Sequence, residues 1–305
     1  MAQTLQLKNH RASRLSRSDR IFYTVVNLVV GILGLIVLYP LVYILSSSFS
    51  SPSAVAAGKV VLFPVNFSLR GYKAVFDYQA VYTGYRNTIF YTVVGTALNI
   101  ALTMIAAYPL ARRSLPGKGF FTFLFTFTMM FSGGMIPNYI LMKELKIINT
   151  AWCMLLPGAI SAYNLIVTRT FIQNSIPEEL LEAAQIDGCN DTQFFFLFIL
   201  PLSKAVMAVI TLYYAVSHWN AYFSAFLYLN NRNLYPLQIF LREILIMNSV
   251  DTEMVMDTQM QEAMQGMADL LKYSLIVVST APILCIYPFL QRYFIKGVMI
   301  GSLKG

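Results

Sequence analysis

Charge is scarce in this sequence: only 12% of its 305 residues are Asp, Glu, Lys or Arg, about half the share of a soluble domain. Apolar residues make up 57%, mean hydropathy is +0.60, and uncharged runs long enough to cross a bilayer recur along the chain. That excludes a water-soluble globule and requires lipid as solvent. Cysteine is rarer still. Cys153, Cys189 and Cys285 have no paired spacing, so neither a disulfide framework nor a zinc knuckle is indicated, and each reads as a small packing residue. The sequence contains no Gly-x-x-x-x-Gly-Lys-Ser/Thr phosphate loop, no Gly-x-Ser-x-Gly, no His-Glu-x-x-His and no pair of intramembrane aspartates. The chain therefore offers no motor of its own, no catalytic residues and no metal ligands. His10 and His218 do not suggest a shared site.

What charge there is sums to +8 and is placed unevenly. Lys8, Arg11, Arg14, Arg17 and Arg20 precede the first apolar run, which fits membrane topology better than nucleic-acid binding. The same arginines recur at every third position, a spacing that also suits a lipid-binding face, but topology accounts for them more simply. Ala54-Val55-Ala56 resembles a signal-peptidase site. The run from Ile21 to Leu45 is too long for a secretory h-region of about 7 to 15 residues, so it reads as an uncleaved first span.

Six spans are expected, at about 21 to 45, 87 to 110, 119 to 137, 150 to 171, 202 to 226 and 272 to 291. An even number puts both termini on one side. The basic residues before span 1, with Arg292, Lys296 and Lys304 after span 6 and Arg112, Arg113 and Lys118 in the turn between spans 2 and 3, make that side cytoplasmic. Outside, residues 46 to 86 carry serines, prolines and Gly71, a composition for ordered turns rather than a separate domain. Ile239, Phe240, Ile244, Leu245 and Met247 are spaced for a helix lying in the interface. Gly133, Gly134 and Pro137 read as the end of span 3 rather than a break within it.

The loop between spans 4 and 5, residues 172 to 201, breaks the basic-inside pattern. It has no Lys or Arg and carries Glu178, Glu179, Glu182, Asp187 and Asp191. Within it, Ser175 and Glu178 suggest a capping box, Pro177 a first turn and Gly188 a left-handed stop, bounding a helix of about eleven residues and about 16 Å. So short a helix is not stable alone and spans nothing, so it needs a partner. Ala183 and Ala184 remove bulk for a close approach, while Leu180, Leu181 and Ile186 supply apolar anchors. Asp191 offers an N-cap for the return, and Leu200-Pro201 marks entry to span 5.

At these residues the chain resembles the permease subunits of bacterial ABC importers, whose signature is Glu-Ala-Ala, three residues, Gly, nine residues, Ile-x-Leu-Pro. Glu182-Ala183-Ala184, Gly188 and Leu200-Pro201 fall in register. Phe198 replaces the Ile, and Ala205 stands where carbohydrate members often place proline. The tail Gln291-Arg292-Tyr293-Phe294-Ile295-Lys296-Gly297, with Gly301 and Lys304-Gly305, is similar to that of maltose-type permeases. Met129 to Pro137 is similar to the branch serving complex oligosaccharides, and Trp219-Asn220-Ala221-Tyr222-Phe223 also fits.

The resemblance implies an all-α, six-span type I importer fold in the cytoplasmic membrane of a bacterium. The chain would be one permease domain: a basic N-terminus over 1–20, a core over 82–291 with its coupling helix at 177–188, and a cytoplasmic tail over 292–305. Implied partners are a second, related permease in a heterodimer, two ABC ATPases carrying ATP and Mg²⁺, an external solute-binding protein and a carbohydrate, within the lipid bilayer and without nucleic acid. Glu178, Glu179, Glu182, Ala183, Ala184, Asp187 and Gly188 would couple to the ATPase, with Gly297, Gly301 and Lys304 reaching its interface.

A neutral sugar presents hydroxyls and apolar ring faces, which call for Asn, Tyr, Trp or His rather than buried full charges. Tyr163, Asn164, Tyr214, His218, Trp219 and Asn220 meet that description, although His218 and Trp219 also suit an interfacial aromatic belt. Arg169 and Lys204 lie near the cytoplasmic span ends and read as snorkelling topological charges rather than an ion path. An ion-coupled transporter would need intramembrane acids and paired repeats, and a membrane enzyme would need a nucleophile with a base. Neither is evident.

Overall fold

The computed structural model describes residues 16–250, 266–285 and 288. The expected tail over 292–305, with Gly297, Gly301 and Lys304, lies outside the described residues, as do Lys8, Arg11 and Arg14 of the basic N-terminus.

All six expected spans contain helix, but among the described residues only three are continuous; 286–287 and 289–291 of span 6 lie outside those residues. Among the described residues α1 (Arg17–Ser48), α4 (Gln79–Ala111) and α15 (Gly266–Cys285) are each long and apolar enough to cross a membrane. Between α1 and α4 lie two short helices, α2 (Pro52–Ala56) and α3 (Arg70–Asp77). Span 3 ends early, at Met130. Its helix α5 (Lys118–Met130) is followed by four non-helical residues and then α6 (Met135–Glu144), bent away by 117°. Gly134, at φ 86°, supplies the left-handed backbone this reversal needs, so the glycines mark a break rather than a simple terminus.

Span 4 is also interrupted, because residues 156–161 separate the one-turn α7 (Trp152–Leu155) from α8 (Ala162–Ser175). Fourteen residues reach about 21 Å, so α8 begins inside the hydrocarbon. Span 5 is assembled from α10 (Asp191–Phe194), a π-helical turn at Phe195–Ile199, α11 (Leu200–Leu202) and α12 (Lys204–Trp219), with a 78° bend before α12. Pro201 has no N–H to bond back into the preceding turn, which is the π-helical one, and the chain bends two residues later at Ser203. One end of the bundle is completed by α13 (Tyr222–Tyr228) and α14 (Leu237–Val250), and the other by α9 (Glu178–Ile186).

The central element is α4, and its pattern is inverted relative to a soluble helix. Gly84, Asn87, Thr88, Tyr91, Gly95, Asn99, Thr103 and Ala107 recur every three or four residues and are buried, whereas Ile89, Phe90, Val93 and Ile105 are exposed. Lipid cannot satisfy polar groups, so they turn inward, and small residues let neighbouring backbones approach. Asn87 Nδ2 donates to the Asn233 and Tyr235 carbonyls (2.7 and 3.0 Å), and Thr88 Oγ1 accepts the Leu237 N–H (2.9 Å). These bonds dock α14 on α4, burying Leu237, Ile239 and Phe240. The expected interfacial helix is thus packed into the protein, because its partner face lies on α4 rather than in the headgroups.

The ordered turns expected after span 1 are present. Ser46, Ser47, Ser48 and Ser50 are buried, Ser46 Oγ donates to the Leu62 carbonyl (2.6 Å), Ser50 Oγ accepts the Val65 N–H (3.0 Å), and Ser48 pairs with Tyr72 (2.8 Å). Ala54 and Val55 are core residues here.

A Cβ on Gly84 would lie 2.9 Å from Leu237 Cα. Gly84→Val is therefore expected to unseat α14 at a cost of about 1 to 3 kcal/mol, read as a lower melting temperature of the detergent-solubilised protein. An unaltered melting curve contradicts this packing.

Candidate functional site

The acidic segment forms a helix held on one side only. Its N-cap is Pro177, not Ser175, which is the last residue of α8. The chain leaves α8 through extended Ile176, so the serine stands two residues too early to cap α9. At the other end the Gly188 N–H reaches the Gln185 carbonyl (3.0 Å) and the Cys189 N–H the Ala184 carbonyl (2.9 Å). With Gly188 at φ 84° this is a Schellman stop, as the sequence predicts.

Leu181 and Ala184 face inward, packed with Leu110 and Ala111 of α4 and Ile172 of α8. Leu180 is half-buried on the same cluster, so two of the three expected anchors serve this chain's own core. The outward face keeps Glu179, Glu182, Ala183 and Ile186, whose side chain is 87% exposed.

The neighbouring basic turn fastens this helix. Arg113 Nε lies 3.1 Å from Glu178 Oε2, and Arg112 pairs with Asp191 while its guanidinium sits over the Tyr108 ring. The return is capped by Asn190 rather than Asp191: Asn190 Oδ1 accepts the Gln193 N–H (2.8 Å) and Gln193 Oε1 accepts the Asn190 N–H (3.0 Å). Two of the five acids are thus neutralised within the chain. Glu179, Glu182 and Asp187 make no ion pair among the described residues. Arg169 Nε and Gln173 Nε2 donate to the Leu110 and Ala111 carbonyls (both 3.0 Å), satisfying the open end of α4. Arg112 and Arg113, read from sequence as topology alone, are positioning residues for α9. A cleft of about 520 Å³ runs between them and Glu178, Glu179 and Glu182.

A second cavity, about 530 Å³, opens among α4, α8 and α12, and Tyr163, Asn164, Tyr214 and His218 all line it. Along α4 and α12 it lies about 18 to 21 Å from the Ala111 and Lys204 ends of these helices, a little over half the thickness of a bilayer's hydrocarbon. Asn99 organises it: its Nδ2 donates to the Gly158 carbonyl (3.2 Å), so its Oδ1 accepts from His218 Nε2 (3.0 Å). The Tyr214 hydroxyl bonds Thr103 Oγ1 (2.7 Å) and accepts the Ser161 N–H (3.0 Å).

The remaining two candidates lie elsewhere. Trp219 is buried, with Nε1 donating to the Ser279 carbonyl of α15 (3.0 Å), and Asn220 closes α12, with Nδ2 donating to the Val216 carbonyl (3.0 Å). Trp219 thus ties α12 to α15 while Asn220 is exposed, and neither Trp219 nor His218 sits in an exposed aromatic belt. Asn99, Ser161 and Ser217 were missed as lining residues. An asparagine midway along an apolar span was the available signal.

Two glycines make these arrangements possible. Gly188→Val places a β-branched residue in the left-handed region, where even an ordinary L-residue costs about 1 to 2 kcal/mol. Uptake is expected to be lost with membrane insertion intact, and wild-type uptake would refute this. A Cβ on Gly95 would lie 2.5 Å from the His218 ring. Gly95→Ala is accordingly expected to push the imidazole off Asn99, seen as a shifted ¹⁵N resonance of His218, and an unshifted resonance rules the contact out.

No family model matches the chain. It is 42% identical over 275 residues to the polygalacturonan/rhamnogalacturonan transport system permease protein YtcP of Bacillus subtilis, covering 89% of this chain and 94% of that protein. Protein LplC of the same organism is 42% identical over 293 residues, covering 95% and 97%. A solved structure of a bacterial ABC transporter involved in the import of the acidic polysaccharide alginate superposes with a TM-score of 0.82 at 35% identity, covering 92% of this chain and 99% of the matched one. Signature, fold and relatives agree, and the chain belongs to the carbohydrate ABC transporter permeases.

Proposed function

We propose that the chain is one of two related permeases that carry an oligosaccharide across the cytoplasmic membrane of a bacterium, fed by an external binding protein and driven by two cytoplasmic ABC ATPases. The observation that carries this reading is α9. Nine residues are too few for an autonomous helix, yet this one is stopped by Gly188 and anchored on one face while Glu179, Glu182, Ala183 and Ile186 stand uncovered. An apolar tip on an acidic helix suits a groove with a basic rim in another protein. Glu178 serves chiefly to hold the lever to Arg113, and Ala184 gives it a close seat, leaving Glu182 and Ile186 to meet the ATPase. The tail, with Gly297, Gly301 and Lys304, would join that interface.

In this reading ATP and Mg²⁺ belong to the partner subunits, and this chain needs no cofactor. Closure of the ATPases would draw the docked levers together and pass the movement through α8, α4 and α12. ATP must favour the outward-open state over the inward-open one, because equal binding to both would shift nothing. A core domain over 82–291 holds every element of that path. The bare flanks of α1 and α5, which bury no apolar side chain along the membrane, suit lipid and a second permease. Pairing of Arg112 and Arg113 with the acidic loop supports one shared cytoplasmic side, and with it both termini there.

An oligosaccharide as cargo is supported by the relatives' carbohydrate substrates and by the polar, uncharged cavity containing Tyr163, Asn164, Tyr214 and His218. In proteoliposomes, uptake is expected only with the ATPase subunits and ATP present; transport without them would point to an ion-coupled carrier. Ile186→Asp should reduce recovery of the ATPase with the purified permease by about tenfold, as for loss of an interface anchor. Full recovery would place the docking surface elsewhere.

A further inference from the structure

The mid-membrane cavity is rich in donors and free of carboxylates. Helix α8 begins within it. Ser161 caps the helix by accepting the Asn164 N–H, while the backbone N–H groups of Ala162 and Tyr163 have no partner among the described residues. The positive end of a 14-residue helix is therefore exposed halfway across the bilayer, where the field is weakly screened. Beside it stands Asn164, only 4% exposed, whose side-chain amide makes no hydrogen bond among the described residues. Its amide lines the cavity rather than being sealed in protein. A buried amide left unpaired in such a place is costly unless a ligand or water completes it. No Asp, Glu, Lys or Arg lines the cavity.

We infer that the α8 N-terminus and Asn164 form a transient site for the carboxylate of an acidic sugar unit, so that the cargo is a uronate-containing oligosaccharide; this rests on the carbohydrate reading above. The Tyr163 N–H and the Asn164 amide supply donors for a carboxylate, and the helix end supplies partial positive charge. The bond from His218 Nε2 to Asn99 leaves Nδ1 of the neutral ring as an acceptor for a neighbouring sugar hydroxyl. A fixed Arg or Lys would hold a polyanion too tightly. A half-helix with amides attracts each carboxylate enough to admit it and weakly enough to release it, as conduction requires.

The test uses the complete transporter in proteoliposomes with saturating binding protein, an oligouronate, and the same oligosaccharide with its carboxyl groups reduced to alcohols. Asn164→Asp keeps the shape but sets an acid against an acid, while Asn164→Gln keeps the amide. Membrane insertion and ATPase assembly are measured in parallel. The ratio of acidic to neutral uptake is expected to fall about tenfold in N164D, as for a lost hydrogen bond to a charged group, and to recover at least in part in N164Q. If the neutral glycan is not carried at all, N164D and N164Q are compared on the acidic one, with the same order expected. A wild type that carries only the neutral glycan, an unchanged ratio, or equal loss of both glycans in N164D overturns the inference. Failure of the wild type to carry either glycan with its ATPases present would instead fault the carbohydrate reading.

Discussion

Hydrocarbon offers a polar group nothing to bond with, and the architecture follows from where this chain finds substitutes. Along α4 the substitutes are side chains. Asn87 and Thr88 secure the outer helix α14, Asn99 joins the break before α8 to His218 of α12, and Thr103 meets Tyr214. Thr88 and Asn99 lie about three turns apart and Asn99 and Thr103 about one, so all share a single stripe. Deleting one partner would leave a buried polar group in a low-dielectric setting, so these contacts specify the helix arrangement as much as they stabilise it.

The same constraint explains why interruptions are confined to certain helices. The break before α8 lies beside protein and cavity, where Asn99 donates to the Gly158 carbonyl, Tyr214 accepts the Ser161 N–H and Ser161 Oγ accepts the Asn164 N–H. By contrast α1, whose apolar side chains face outward along its membrane stretch, is a single helix of 32 residues. Irregular backbone is tolerated only where something other than lipid can satisfy it.

Much of this was legible in the residues. Scarce charge and long apolar runs announce a membrane bundle, and Gly188 marks the end of α9 because no other residue adopts its backbone as easily. Four of the six proposed cargo-facing residues share one cavity, since mid-span Tyr, Asn and His are costly without such a purpose. What could not be read was tertiary. Hydropathy averages over Gly133 and Gly134 and over residues 156–161, so spans 3 and 4 read as continuous when they are not. Composition also cannot say whether an apolar stripe meets lipid or protein. That is why α14 was expected in the headgroups and Leu181 was assigned to a partner.

Arg112 and Arg113 are adjacent, yet they hold opposite ends of one small element: Arg113 takes Glu178 at the start of α9, and Arg112 takes Asp191 just beyond its stop. Two anchor points fix an orientation where one would leave a swivel. In the proposed coupling, a thrust delivered to α9 would arrive at the foot of α4 as torque as well as displacement. Because both anchors are partly hydrated ion pairs, that gearing softens as ionic strength rises.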